Sequence, residues 1–239
     1  MSEQKAQGFG GLTATERDRR WEIVREFLQE KELDALLVVG TRHGEPLDRY
    51  LSNWIPGCTV VFPSEGEPTL LVPMAPALFA LRPDTPEEAR PWIQDVRAGA
   101  RGAIIVATLK EKGLEKGRIG IVGIGGMRTD WEGWVPFKTW DRVLGKLPDC
   151  SFEDVAAAFA ELILVKSDEE LSLVRRGSEI LEQAGVEMVK AVAPGVSERE
   201  VYTAFVRVLQ ENGVFTPFHI MCSSPDIVSW GQPPWLFNV

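Results

Sequence analysis

The chain has 239 residues, of which 44% are hydrophobic, enough to build more than one core. Asp and Glu total 35 against 26 Lys and Arg, a formal net charge of -9, which argues against a surface made for nucleic-acid phosphates or anionic lipid. The opening "MSEQKAQGFGGLTATERDRRW" has no apolar core of the signal-peptide kind, and no later apolar run has bilayer-spanning length, so a cytoplasmic protein is expected.

Residues 1–12 read as a polar, Gly-rich arm. From Thr13 to Glu32 the apolar residues Trp21, Ile23, Val24, Phe27 and Leu28 recur at helical spacing, and Thr13 with Glu16 forms a capping-box pattern. Arg17, Arg19, Arg20 and Arg25 are expected on its exposed face beside acidic residues. "DALLVVG" (34–40) predicts a strand buried on both faces. "CTVVFPSEGEPTLLVP" (58–73) predicts a hairpin turning at Gly66. "WIQDVRAG" (92–99) is a weaker strand. Residues 100–116 suit a helix, although Ile104, Ile105 and Val106 also suit a strand. "RIGIVGIGG" (118–126) is the next buried strand and 136–147 a helix. "CSFEDV" then leads into the Ala-rich helix "AAAFAEL". Strands alternating with helices predict an α/β layered domain.

The texture changes after residue 161. Ser167 and Glu170 form a second capping-box pattern, opening a helix to about Ala193 with Leu171, Val174, Ile180, Leu181, Ala184, Met188 and Val192 available for packing. "PGVS" stops it, because Pro194 cannot continue a helix and Gly195 can take a left-handed cap. Ser197 and Glu200 start another helix, carrying Val201, Phe205, Val208 and Leu209. "PFHIMC" and "IVSW" read as short strands. Two helices and so little strand enclose a core poorly. Met188, Val192, Phe205, Val208, Leu209, Trp230, Trp235 and Phe237 are therefore expected to be partly exposed.

The order of "RYLSNW", "ELILVKSDEELSLVRRGSEI", "PGVSEREV" and "FTPFHIMCSS" resembles the creatinase / aminopeptidase P / prolidase family of pita-bread metallohydrolases. Lys166, Ser167, Glu170, Val174, Arg175, Pro194, Gly195, Val196, Ser197 and Glu198 match its linker and helix motifs in order. The resemblance implies a creatinase-like N-terminal α/β domain (1–160). An incomplete α+β pita-bread domain (161–239) would follow, truncated before the metal ligands. It also implies hydrolysis of C–N bonds, commonly Xaa-Pro, by water activated on Mn, Zn or Co. The ligands in that family are two Asp, one His and two Glu. The partners it implies are a peptide or small amide-type substrate and a second copy in a homodimer, with no nucleic acid and no membrane. The competing expectation is a non-catalytic binding or dimerisation protein on the same scaffold.

Residue types limit what this chain can do itself. Two divalent metals require several converging carboxylates, usually with His, and only His43 and His219 are present. No HExxH or HxH pattern occurs, so neither a metal ligand nor a catalytic residue is assigned. His43, in "GTRHGEP", reads as a surface-turn residue. His219 lies on a strand that the resemblance places near the substrate pocket, and its plainer reading is a hydrogen-bonded, partly buried side chain. The loop "SSPDIVSWGQPP" lacks the His that many relatives carry there; Trp230, Gly231 or Gln232 stands in its place. His219, Trp230 and Gln232 are the candidate pocket residues, and the missing His weakens the expectation of ordinary Xaa-Pro cleavage. "GIVGIGGMR" fails the dinucleotide pattern because Arg128 stands where the third Gly belongs. Cys58, Cys150 and Cys222 lack CxxC spacing and read as reduced thiols.

Overall fold

A computed structural model describes residues 11–41, 47–54, 57–72, 90–99, 101–125 and 132–214. Two compact units divide the chain, Gly11–Ser167 and a second to which residues 168–214 belong.

In the first unit, helix α1 (Ala14–Glu30) leads into strand β1 (Ala35–Val39), buried along its whole length. Helix α2 (Leu47–Ser52) follows, then the hairpin of β2 (Thr59–Pro63) and β3 (Thr69–Val72). Gly66 turns it at φ +86°, a conformation open to glycine without strain. Strand β4 (Asp95–Ala98), helix α3 (Arg101–Glu111), strand β5 (Arg118–Val122) and helix α4 (Phe137–Lys146) come next, before strand β6 (Ser151–Asp154) and helix α5 (Ala156–Leu162). The sheet order is β4-β3-β2-β1-β5-β6, antiparallel where β2 meets β1 and β3 and parallel elsewhere.

Pleating sends alternate residues of β1 to opposite faces, and both faces are covered. Leu36 and Val38 join Trp21, Val24 and Leu28 of α1, Leu51 of α2 and Phe159 of α5 in one core. Ala35, Leu37 and Val39 join Ile105 and Leu109 of α3 and Val143 of α4 in the other. Each large side chain buried this way contributes roughly 1.5–3 kcal/mol. The segment left between helix and strand is settled here: residues 101–111 are helical, with Ile105 packed on the sheet and Ile104 at its margin.

Arg20 departs from the sequence expectation. It is 4% exposed rather than on a solvent face. Its Nε donates to Glu16 Oε1 at 2.7 Å, its Nη1 donates to the Tyr50 carbonyl at 3.2 Å, and its guanidinium lies over the Tyr50 and Trp92 rings. Helical spacing puts residue 20 one turn beyond Glu16, on the edge that meets α2. A guanidinium can occupy that edge because a carboxylate and two aromatic faces replace its water.

The second unit is built on helix α6 (Asp168–Ala191) and helix α7 (Glu198–Glu211). Ser197 and Glu200 make the reciprocal capping box at the start of α7, and Gly195 takes φ +87° in the link between the helices. Ile180 and Ala184 meet Val208 and Leu209 at the helix contact. Val208 and Leu209 are thus buried, against the expectation of exposure, because their side of α7 faces α6. Val192 is exposed as expected. Val174 and Leu181, which the periodicity assigned to a packed face, are exposed as well. Among the described residues no helix is long and apolar enough to cross a membrane.

Candidate functional site

The carboxyl ends of β1 and β5 lie side by side, since these parallel strands pair from Ala35–Ile119 to Val38–Val122. The chain leaves β1 toward α2, in one core, and leaves β5 toward α4, in the other. Adjacent strands whose connections diverge to opposite faces open a crevice, the usual ligand position in α/β sheets.

Here the crevice is filled from within. The Trp134 indole N–H donates to the Val39 carbonyl at 2.5 Å, and the backbone N–H groups of Trp134 and Val135 donate to the Gly123 carbonyl at 2.8 and 3.1 Å. Gly123 sits at φ +121°, and a Cβ there would come 3.1 Å from Trp134 Nε1. A Rossmann-type phosphate site needs this space and these backbone groups. Trp134 takes both, which agrees with the failed GxGxxG pattern.

Beside the crevice, Asp48 lies in the first turn of α2 with no exposed surface. Its Oδ2 accepts from the Cys58 N–H at 2.9 Å, while Oδ1 has no hydrogen-bond partner. The Gly40 N–H donates to the Cys58 carbonyl at 2.6 Å. A Cβ on Gly40 would lie 2.3 Å from Asp48 Cγ, so the carboxyl occupies space that only glycine leaves. Burial pushes the Asp48 carboxyl up to about 6 against the opposing effect of nearby backbone N–H groups. Sequence reading did not single out Asp48 or Trp134. An acidic residue between Leu47 and Tyr50 in a short apolar segment was the available signal for the first.

In the second unit an open cavity of about 420 Å³ lies between α6 and α7, edged by Glu182, Glu187 and Glu211 over Val186 and Val208. Glu187 is held by Lys190 at 2.7 Å, which keeps its carboxyl below the usual range. Carboxylates of this kind only accept hydrogen bonds, and no nucleophile stands among them. Cys150 is no better placed for nucleophilic work: burial pushes its thiol up, and it donates to the Gly117 carbonyl at 3.1 Å. Cys58 is buried. His43, His219, Trp230, Gln232 and Cys222 lie outside the described residues. Among the described residues no three His, Cys, Asp or Glu side chains are grouped so as to hold a metal ion, so these residues do not fit the family's metal centre.

The fold has known counterparts. The X-Pro aminopeptidase from Thermotoga maritima matches at a TM-score of 0.63 and 16% identity, over 81% of this chain and 49% of that one. The Xaa-Pro dipeptidase from Bacillus anthracis matches at 0.59 and 18% identity, over 82% and 49%. The prolidase from Pyrococcus horikoshii matches at 0.58 and 20% identity, over 81% and 49%. The chain shares their fold. It spans about half the length of each of these three proteins. The resemblance drawn from the motifs at Lys166–Glu170 and Pro194–Glu198 therefore has its counterpart in three dimensions, and the expected α/β fold class holds. No protein-family model matches the chain, and no curated protein matches it in sequence.

Proposed function

We propose that the chain is the N-terminal portion of a creatinase- or Xaa-Pro-peptidase-like hydrolase, inactive by itself. Residues 1–160 form the N-terminal domain of such an enzyme and residues 161–239 open its catalytic domain. The observation that carries this reading is the shared fold over about half of the length of proteins named as prolidase, Xaa-Pro dipeptidase and X-Pro aminopeptidase. The remainder of such an enzyme supplies a divalent metal (Mn, Zn or Co) and the residues that activate water for C–N cleavage. Nothing described in this chain takes that part. His219, Trp230 and Gln232 line the substrate pocket in this reading, the N-terminal domain contacts a second subunit in a homodimer, and the protein works in the cytoplasm on a peptide or small amide.

The test is to read and express the gene beyond Val239. Hydrolysis of Xaa-Pro dipeptides or small amides that depends on added Mn²⁺, Co²⁺ or Zn²⁺ is the expected result, with an Asp, Asp, His, Glu, Glu series in the added sequence. A stop codon directly after Val239, or a whole product that binds no metal and cleaves no C–N bond, replaces this reading with a non-catalytic binding or dimerisation protein. The exposed Val174 and Leu181 of α6, with Val192 just past its end, are the observation that favours that second reading.

A further inference from the structure

Three segments meet at one buried acid. Asp48 lies in the first turn of α2, Gly40 follows β1, and Cys58 precedes β2. The Cys58 N–H donates to Asp48 Oδ2, the Cys58 carbonyl accepts from the Gly40 N–H, and the missing Cβ of Gly40 leaves room for the carboxyl. Around it stand few charges. Arg49, on α2, is exposed to solvent. Arg101, on α3, donates to the Gly57 carbonyl at 3.1 Å, and Arg20, on α1, to the Tyr50 carbonyl. The residue after β1, Gly40, and the residue before β2, Cys58, bring no charged side chain to it. No ion pair to Asp48 exists among the described residues.

We infer that Asp48 is a pH-sensitive latch of the first unit: its neutral carboxyl closes the junction of β1, α2 and β2, and loss of the proton loosens it. An ionised carboxylate without surface, ion pair or donor to Oδ1 is costly, whereas the acid leaves no net charge in the core. The raised position of this group places the change close to pH 6, within the range of ordinary cellular pH shifts. The strain is relieved locally, because α2 has only six residues.

The experiment uses the full 239-residue chain. Carbon-13 resonances of the Asp carboxyls, with Asp48 assigned through its backbone, are followed from pH 3 to 8, and amide exchange at Gly40 and Cys58 is measured at pH 5 and 7.5 with intrinsic rates corrected. Asp48 is expected to titrate near 6, and both amides to exchange up to roughly 10-fold faster at the higher pH beyond the intrinsic change. Asp48→Asn is expected to remove that excess. A titration midpoint below 5, or an unchanged pH dependence in Asp48→Asn, overturns the proposal. If the variant does not fold, the wild-type titration alone decides.

Discussion

The guanidinium of Arg20 lies 4.4 Å from the centre of the Tyr50 ring while its Nε holds Glu16, so one buried cation fastens α1 to α2. Arg20→Ala leaves Glu16 buried and deprived of that partner, and is expected to cost about 3–5 kcal/mol in urea unfolding. The double variant Arg20→Ala/Glu16→Ala is expected to lose less than the sum of the two single changes, as coupled partners do. Strict additivity would show that the pair is not a unit.

Glu16 sets the acid limit of the same joint. Burial opposes its ionisation, but hydrogen bonds from Arg19 and Arg20, with the Ser167 hydroxyl assisting, outweigh that and hold its carboxyl at about 2. The folded value lies below the unfolded one, so the stabilisation is complete above pH 4.5 and is lost as pH falls toward 2. It amounts to about 3 kcal/mol. Unfolding midpoints of Glu16→Gln measured between pH 5 and 2 should decline less steeply than those of the wild type. Parallel declines would refute the assignment.

Glycines separate into fixed and replaceable ones. Gly40→Ala drives a methyl group into Asp48 and the Cys58 carbonyl, 2.5 Å away, and is expected to cost more than about 3 kcal/mol or prevent folding. Gly177→Ala, in α6 with nothing within 4 Å of the new Cβ, is expected to gain roughly 0.5–1 kcal/mol. Thermal melts of both variants check the pair.

Glu32 sits at φ +53°, a left-handed conformation that disfavours side chains, and its ion pair with Arg118 at 3.1 Å is exposed. Glu32→Gly therefore removes strain at the end of α1 and gives up little, for an expected gain of roughly 0.5–1 kcal/mol. A loss of stability in the same melts would show that the ion pair outweighs the backbone.

Leu181 of α6 and Val192, just past its end, are 51% and 65% exposed and take no part in the apolar contact with α7. Leu181→Glu/Val192→Glu is expected to lower self-association in light scattering at matched concentration, with less than about 0.5 kcal/mol change in unfolding energy. Unchanged scattering would place association elsewhere.

Periodicity revealed most of the first unit because its sheet is covered on both faces. The unbroken apolar run Ala35–Val39 could hardly be anything but a central strand. Strand β6 escaped notice: Ser151, Glu153 and Asp154 are exposed at the sheet edge, so only Phe152 carries an apolar signal. Helix α2 drew no helical reading because six residues give fewer than two turns of pattern. Arg20 was misplaced since residue type suggests water, while its partners Tyr50 and Trp92 come from distant positions that a local window does not join. Asp48 and Trp134 eluded motif reading for the same reason. Their contacts belong to loops brought together by the sheet, not to any spacing along the chain.

Trp134 packs against both hydrophobic layers as its indole caps the end of β1. The two helix coats on opposite sides of the sheet thus have one side chain in common. Water entering under either coat changes the surroundings of the same indole, which makes that ring a natural optical reporter for the integrity of both.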